Sequence, residues 1–246
     1  MPTNFNKPDG DCHRAKPFTH PLRWDFSPFQ SAILTIYRNS ISFLKMETRL
    51  ILASKSPRRY ALLKQIGLDF EMVPSNVEES FSPGESPREH VIRLSGDKAF
   101  QVGNRFPQCW VIGADTIVYV DGTILGKPKS HQEAFEMLRL LNGKEHRVLT
   151  GISVQHRGKG RGDCEVVETI VRVKRLSAVE MNWYIQTGEP FDKAGGYGIQ
   201  GIGSFMIESI HGSYTNVVGL PLCELIQMLV RLGALTISES GMRILE

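Results

Sequence analysis

The stretch Ser54-Lys55-Ser56-Pro57-Arg58-Arg59 puts two guanidiniums where a helix should begin. Ser56 reads as its N-cap and Pro57 as its first-turn proline. Cations there oppose the helix dipole by roughly 0.3–1 kcal/mol each, so the pair asks for an anion. Further along the chain come Glu78-Glu79, Lys98, Asp115 and Lys127, the last between Gly126 and Pro128. Cations and carboxylates at the ends of elements, beside glycines that let backbone approach a ligand, are what a triphosphate with a hard metal ion requires. Each residue also has a plainer reading. The arginines could simply pair with Glu78 or Glu79, Lys98 could be solvated on its helix, and Asp115-Thr116 could be an Asx turn. Lys127 alone says little.

Two glycine motifs are decoys. Gly196-Tyr197-Gly198-Ile199-Gln200-Gly201 matches G-x-G-x-x-G but precedes a strand instead of opening a helix. The stretch from Gly122 to Pro128 imitates a P-loop, yet it is one residue short and has Pro where a magnesium-binding hydroxyl belongs.

The elements that must carry these residues follow from periodicity and punctuation. The apolar run 50–53 predicts a buried strand, followed by a helix over 57–66 that Gly67 closes. A short strand near 70–73 leads into the loop of Glu78-Glu79. Ser86-Pro87-Arg88-Glu89 is a capping box for a helix reaching about 104, and Ser130 and Ser177 open two more, over 131–141 and to about 187. Residues 109–113 predict a strand with Asp115 just beyond its carboxyl edge, and 116–125 a hairpin turning at Asp121-Gly122. Strands over 146–155 and 165–174 flank a loop at 157–163. A glycine-dense segment, 194–203, enters a strand ending near 209, and 220–232 is a final amphipathic helix. Strands and helices alternate but include hairpins, so an α/β fold with a mixed sheet is predicted.

Composition narrows the class. The 246 residues are 41% hydrophobic and 22% charged, with a net charge of +3. That charge is too small to argue for a nucleic-acid polymer as partner. No apolar run approaches the ~18–20 residues of a membrane span, so a soluble, cytoplasmic protein is expected. Four scattered cysteines form no C-x-x-C or Cys/His pair, which argues against a structural zinc and for a reducing compartment. Residues 1–46 lack a clear period and read as a disordered or non-native extension ahead of a domain over 47–246. A mitochondrial presequence is the alternative, disfavoured by its acidic residues and weak amphipathicity.

Five ordered stretches carry a family resemblance: Ser54-Lys55-Ser56-Pro57-Arg58-Arg59, Gly113-Ala114-Asp115-Thr116, Gly126-Lys127-Pro128, the run from Asp192 to Gly201, and the run from Asn216 to Leu222. Together they resemble the Maf family of nucleoside triphosphate pyrophosphatases, from about residue 49 to 232. The resemblance implies a long twisted mixed sheet with flanking helices, related to the inosine triphosphatase architecture, and two lobes around a cleft. It implies cleavage of a nucleoside triphosphate between the α and β phosphates, a divalent metal (Mg or Mn) and a homodimer. Arg58, Thr116 and Gln200 resemble the branch acting on dTTP and UTP; the branch acting on 7-methyl-GTP tends to have an aromatic residue, Gln and Glu there.

In those terms Asp115 is the expected general base, with metal ligation alone as its alternative, and Glu79 helps to hold the metal, which Asp115 shares. Ser54, Arg59, Lys98 and Lys127 are expected on the phosphates. Gln200, with one donor and one acceptor, matches the carbonyl and N–H that uracil and thymine share. Two other functions compete: a pyrophosphatase for different modified nucleotides, and a nucleotide-binding regulator of cell division without turnover.

Overall fold

The computed structural model describes residues 50–245; the expectations for residues 1–46 lie outside them. The order of elements is β1 (Leu50–Leu52), α1 (Pro57–Gln65), β2 (Glu71–Met72), α2 (Pro87–Arg105), β3 (Trp110–Val120), β4 (Thr123–Leu125), α3 (His131–Leu141) and β5 (Glu145–His156). There follow β6 (Arg161–Val173), α4 (Ala178–Gln186), β7 (Ile207–His211), α5 (Tyr214–Val218), α6 (Leu222–Arg231), β8 (Leu235–Ser238) and β9 (Gly241–Ile244).

The helices start where their caps say. Ser56 accepts the Arg59 N–H, and Ser86 and Ser177 complete reciprocal boxes with Glu89 and Glu180. At Ser130 only half the box forms, because Glu133 turns instead to the Lys129 N–H. Short 3₁₀ turns connect the later elements: Arg157–Lys159, Glu189–Asp192, Ala194–Gly196 and Gly201–Met206. The first shortens the expected 157–163 loop, so that β5 and β6 pair from Glu145↔Arg172 to His156↔Arg161.

The main sheet has seven strands in the order β2-β1-β3-β5-β6-β7, with β4 added to β3. β1 runs parallel to β2 and β3, and the remaining pairings are antiparallel, so the sheet is mixed.

One expectation is corrected at its centre. β3 does not stop at Gly113: it runs unbroken for 11 residues, with Asp115 opposite Gly151 and Thr116 opposite Thr150 on β5. Asp115 is therefore a buried mid-strand residue, neither beyond the carboxyl end of a strand nor in an Asx turn. Two polar residues are tolerated inside a strand when each finds a partner. Asp115 finds Lys98, and Thr116 finds Thr150 and Arg59.

Along one edge β3 pairs with β1 only as far as Ile112 and with β4 only from Val118, so that among the described residues no strand lies beside 113–117 on that edge. Separate hydrophobic cores lie on the two sides of that gap. One holds Leu50, Leu52, Leu63, Trp110, Val218 and Leu229; the other holds Val118, Leu138, Val148, Tyr184 and Tyr197.

Candidate active site

The gap in the sheet is the floor of an open cleft. β1 ends beside it, and the chain turns through Ser54 into α1, whose first turn delivers Arg58 and Arg59 about 100° apart around the helix. Arg59 is buried and donates four hydrogen bonds: Nε to the Gly219 carbonyl at 2.8 Å, Nη1 to Ala114 O at 2.8 Å and Ser54 Oγ at 3.3 Å, Nη2 to Thr116 Oγ1 at 3.0 Å. It thus occupies the unpaired edge of β3 and ties it to α1 and to the turn after α5. Arg58 reaches the other wall, where its guanidinium pairs with the Asp192 carboxylate and donates to the Asp192 carbonyl at 3.1 Å. Neither arginine pairs with Glu78 or Glu79, so the plainer reading of that pair is corrected.

The acidic centre is set by how closely α2 lies on the sheet. A Cβ on Gly113 would come within 2.0 Å of the Ser95 carbonyl, and one on Gly151 within 2.1 Å of the Val91 carbonyl. Only because both positions lack a side chain can α2 press its Val91, Leu94, Ser95, Lys98 and Ala99 face onto β3 and β5. Lys98 then arrives buried, not solvated, with Nζ 2.7 Å from Asp115 Oδ1 and 2.5 Å from Glu79 Oε1. Glu79 comes from a loop braced by a second ion cluster. Arg93 donates to the Ser80 carbonyl and to Glu85, and Glu85 also takes the Ser82 N–H and faces His90. The Arg93 hydrogen bond, against the opposing effect of burial, brings the Glu85 carboxyl down to about 2.

Lys127 is exposed at the rim and has no hydrogen-bond or ion-pair partner among the described residues. Gln200 is exposed and also lines the cleft, its amide likewise unpartnered among them. Of the residues singled out in the sequence, Arg58, Arg59, Glu79, Lys98, Asp115, Thr116, Lys127 and Gln200 line the cleft and Ser54 lines an adjoining recess that shares Arg59, Glu79, Lys98 and Lys127 with it, whereas Glu78 lines neither.

Residues 49–232 match the family described as Maf-like protein. The chain belongs to the Maf family. It is 49% identical over 190 residues to the dTTP/UTP pyrophosphatase of Syntrophus aciditrophicus, covering 77% of this chain and 93% of that protein. It is 50% identical over 197 residues to the dTTP/UTP pyrophosphatase of Syntrophotalea carbinolica, covering 79% and 89%. Among solved structures, the Staphylococcus aureus Ham1 protein is 18% identical with a TM-score of 0.38, covering 64% of this chain and 79% of that one.

In this Maf-family cleft the charges are mutually organised. Burial alone would raise the Glu79 carboxyl, but the hydrogen bond from Lys98 and the charges of Lys98, Lys127 and Arg59 outweigh it and hold the group below its ordinary value. Asp192 behaves alike: burial raises it, and Lys193 with Arg58 brings it down. Glu79 and Asp115 meet one cation, Lys98, so both lie within reach of a single positive centre. Among the described residues no three His, Cys, Asp or Glu side chains gather as a metal cage. A pair of carboxylates that leaves the other ligand places to water and phosphate suits magnesium and not zinc.

Sequence reasoning assigned no role to Asp192, Glu189, Tyr197 or Asn216. Asp192 and Asn216 lie in the stretches that carry the family resemblance, but their partners are far along the chain. Asn216 Nδ2 donates to the Val148 carbonyl and to Thr169 Oγ1, fixing α5 against the sheet and so the Gly219 carbonyl that receives Arg59. No helix among the described residues is long and apolar enough to cross a membrane.

Proposed function

We propose that this chain hydrolyses dTTP and UTP to the nucleoside monophosphate and pyrophosphate. The observation that carries the reading is the meeting of Arg59, Lys98, Lys127, Glu79 and Asp115 in one cleft that Gln200 and Arg58 also line. The names of the Syntrophus and Syntrophotalea relatives support the substrate pair.

The cationic wall receives the triphosphate: Lys127 and the uncommitted N–H of Arg59 face it, near Ser54 and the start of α1. Asp115 orients a water and takes its proton as the water oxygen bonds to the α-phosphorus. The bond from that phosphorus to the α–β bridging oxygen breaks, and pyrophosphate leaves with the electron pair. Lys98 and Lys127 neutralise the charge that moves onto it. Glu79 and Asp115 would hold a magnesium or manganese ion, which supplies further neutralisation of phosphate oxygens when bound.

Arg58, Thr116 and Gln200 set the choice of nucleotide. A single amide offers one donor and one acceptor to the edge that uracil and thymine share, and the 5-methyl group lies away from that edge. Pyrophosphate release over dTTP, UTP, dCTP, ATP and 7-methyl-GTP, with magnesium or manganese, tests the reading. The expected result is a kcat/KM for dTTP and UTP at least about tenfold above the others, and a Gln200→Glu variant that shifts preference toward 7-methyl-GTP. A variant that keeps the wild-type preference contradicts the role of Gln200. Nucleotide binding without turnover of any of them favours the regulator instead.

A further inference from the structure

Gln200 lies in a stretch between two 3₁₀ turns, flanked by Gly198 and Gly201, with no strand or regular helix to hold it. Its anchor is a carboxylate from outside the cleft. Glu189 Oε2 accepts the Ile202 N–H at 2.9 Å, and Oε1 accepts the Gly203 N–H at 2.9 Å and the Tyr184 hydroxyl at 3.1 Å. Both oxygens are thus committed to the turn that begins one residue after Gln200. The fit is close: Gly201 adopts φ +72°, and a Cβ there would lie 2.8 Å from Glu189 Oε2. The other end of the same anchor is also tied, since Lys193 Nζ donates to the Glu189 carbonyl at 2.8 Å and to the Asp192 carboxylate that receives Arg58. Tyr184 is fully buried in α4, so the carboxylate rests on a rigid neighbour. Glu189 itself does not line the cleft.

We propose that Glu189 is a positioning residue for base selection: it fixes the turn at 201–203 and thereby holds the Gln200 amide in one orientation toward the nucleobase. This rests on the reading above that Gln200 meets the base. Its chemical consequence concerns cytosine, which presents the same edge as uracil with donor and acceptor exchanged. An amide held in one orientation rejects cytosine; an amide free to turn over accepts it. The triphosphate contacts of Lys127, Lys98 and Arg59 do not pass through Glu189.

The test is kcat and KM for dTTP and dCTP in the full-length protein, together with its melting temperature, for wild type, Glu189→Gln, Gly201→Ala and a Gln200→Ala control. Glu189→Gln keeps the shape but turns one acceptor into a donor facing an N–H. The dTTP:dCTP ratio of kcat/KM should fall about tenfold, chiefly through a raised KM for dTTP, with kcat for dTTP within about threefold. Gly201→Ala, which displaces the same carboxylate, should lower the ratio in the same sense. If Glu189→Gln does not fold, Tyr184→Phe, which removes the hydroxyl that donates to that carboxylate and accepts from the Gly198 N–H, takes its place and should lower the ratio by a smaller factor. Equal losses on both nucleotides would reduce Glu189 to a structural role and overturn the proposal. A ratio kept in Glu189→Gln but lost in Gln200→Ala overturns the positioning role alone. A ratio kept in both overturns the base-reading role of Gln200 and the positioning role with it.

Discussion

At Arg59 the planar guanidinium serves acceptors that no other side chain would reach together: two carbonyls, Gly219 and Ala114, and two hydroxyls, Ser54 and Thr116. Burial lowers its pKa, while the nearby charges of Asp115 and Glu79 raise it, and it remains a cation. An ammonium has three donors on one atom and cannot span those positions. Arg59→Lys should therefore leave at least one buried acceptor unpaired and cost about 1–3 kcal/mol, read as a lower denaturation midpoint. An unchanged midpoint would show that the four hydrogen bonds carry little. At this scale the sequence was informative about chemistry and silent about pairing. Arg58, Arg59, Lys98 and Asp115 stood out by type and place. Asp192, 134 residues from Arg58, and Glu189, 13 and 14 residues from the amides it holds, had no local mark of their roles.

Between elements, the decisive fit is α2 against β3 and β5. Gly113 and Gly151 leave the space that brings Lys98 to Asp115. Gly151→Ala forces its methyl against the Val91 carbonyl, and backbone cannot move aside as a flexible side chain would. The expected outcome is a loss of about 1–3 kcal/mol in stability, with pyrophosphate release from dTTP falling as Lys98 withdraws. A variant that melts and turns over like wild type would mean that α2 can shift without disturbing the acidic centre. The helices themselves were legible, because Ser56, Ser86, Ser130 and Ser177 announce their starts. β3 was not, since Asp115-Thr116 interrupts its apolar run and reads locally as a break. Its continuity depends on β5, which pairs with it from Val111↔Gln155 to Tyr119↔Arg147. The short α5 and the β8–β9 hairpin were also missed; their positions follow from packing after β7 and not from a periodic pattern.

Across the whole domain, two cores flank the cleft, and one contains a titratable group. His146 is buried beside Tyr197, 2.6 Å from its hydroxyl, and burial lowers its pKa from 6.5 to about 4. The unfolded chain binds that proton below pH 6.5, whereas the folded protein does not until about pH 4. This contribution to stability is therefore complete above pH 6.5 and lost as the pH falls toward 4, by at most roughly 3 kcal/mol. Denaturation midpoints of wild type and His146→Phe at several values in that window should show a weaker pH dependence in the variant. Parallel curves would remove His146 from the account. The mixed sheet and the cleft were implied by the sequence, but the gap at residues 113–117 was not, because it arises where β1 ends early and β4 begins late on the same edge of β3. That gap gives Arg59 its place and the cleft its floor. The most direct measurement is product analysis of dTTP hydrolysis by wild type and Asp115→Asn in ¹⁸O-labelled water. Base catalysis by Asp115 at the α-phosphorus predicts dTMP carrying the label, unlabelled pyrophosphate, and a rate in the variant lower by about 10²-fold or more; dTDP with free phosphate, labelled pyrophosphate, or an undiminished rate in Asp115→Asn would contradict it.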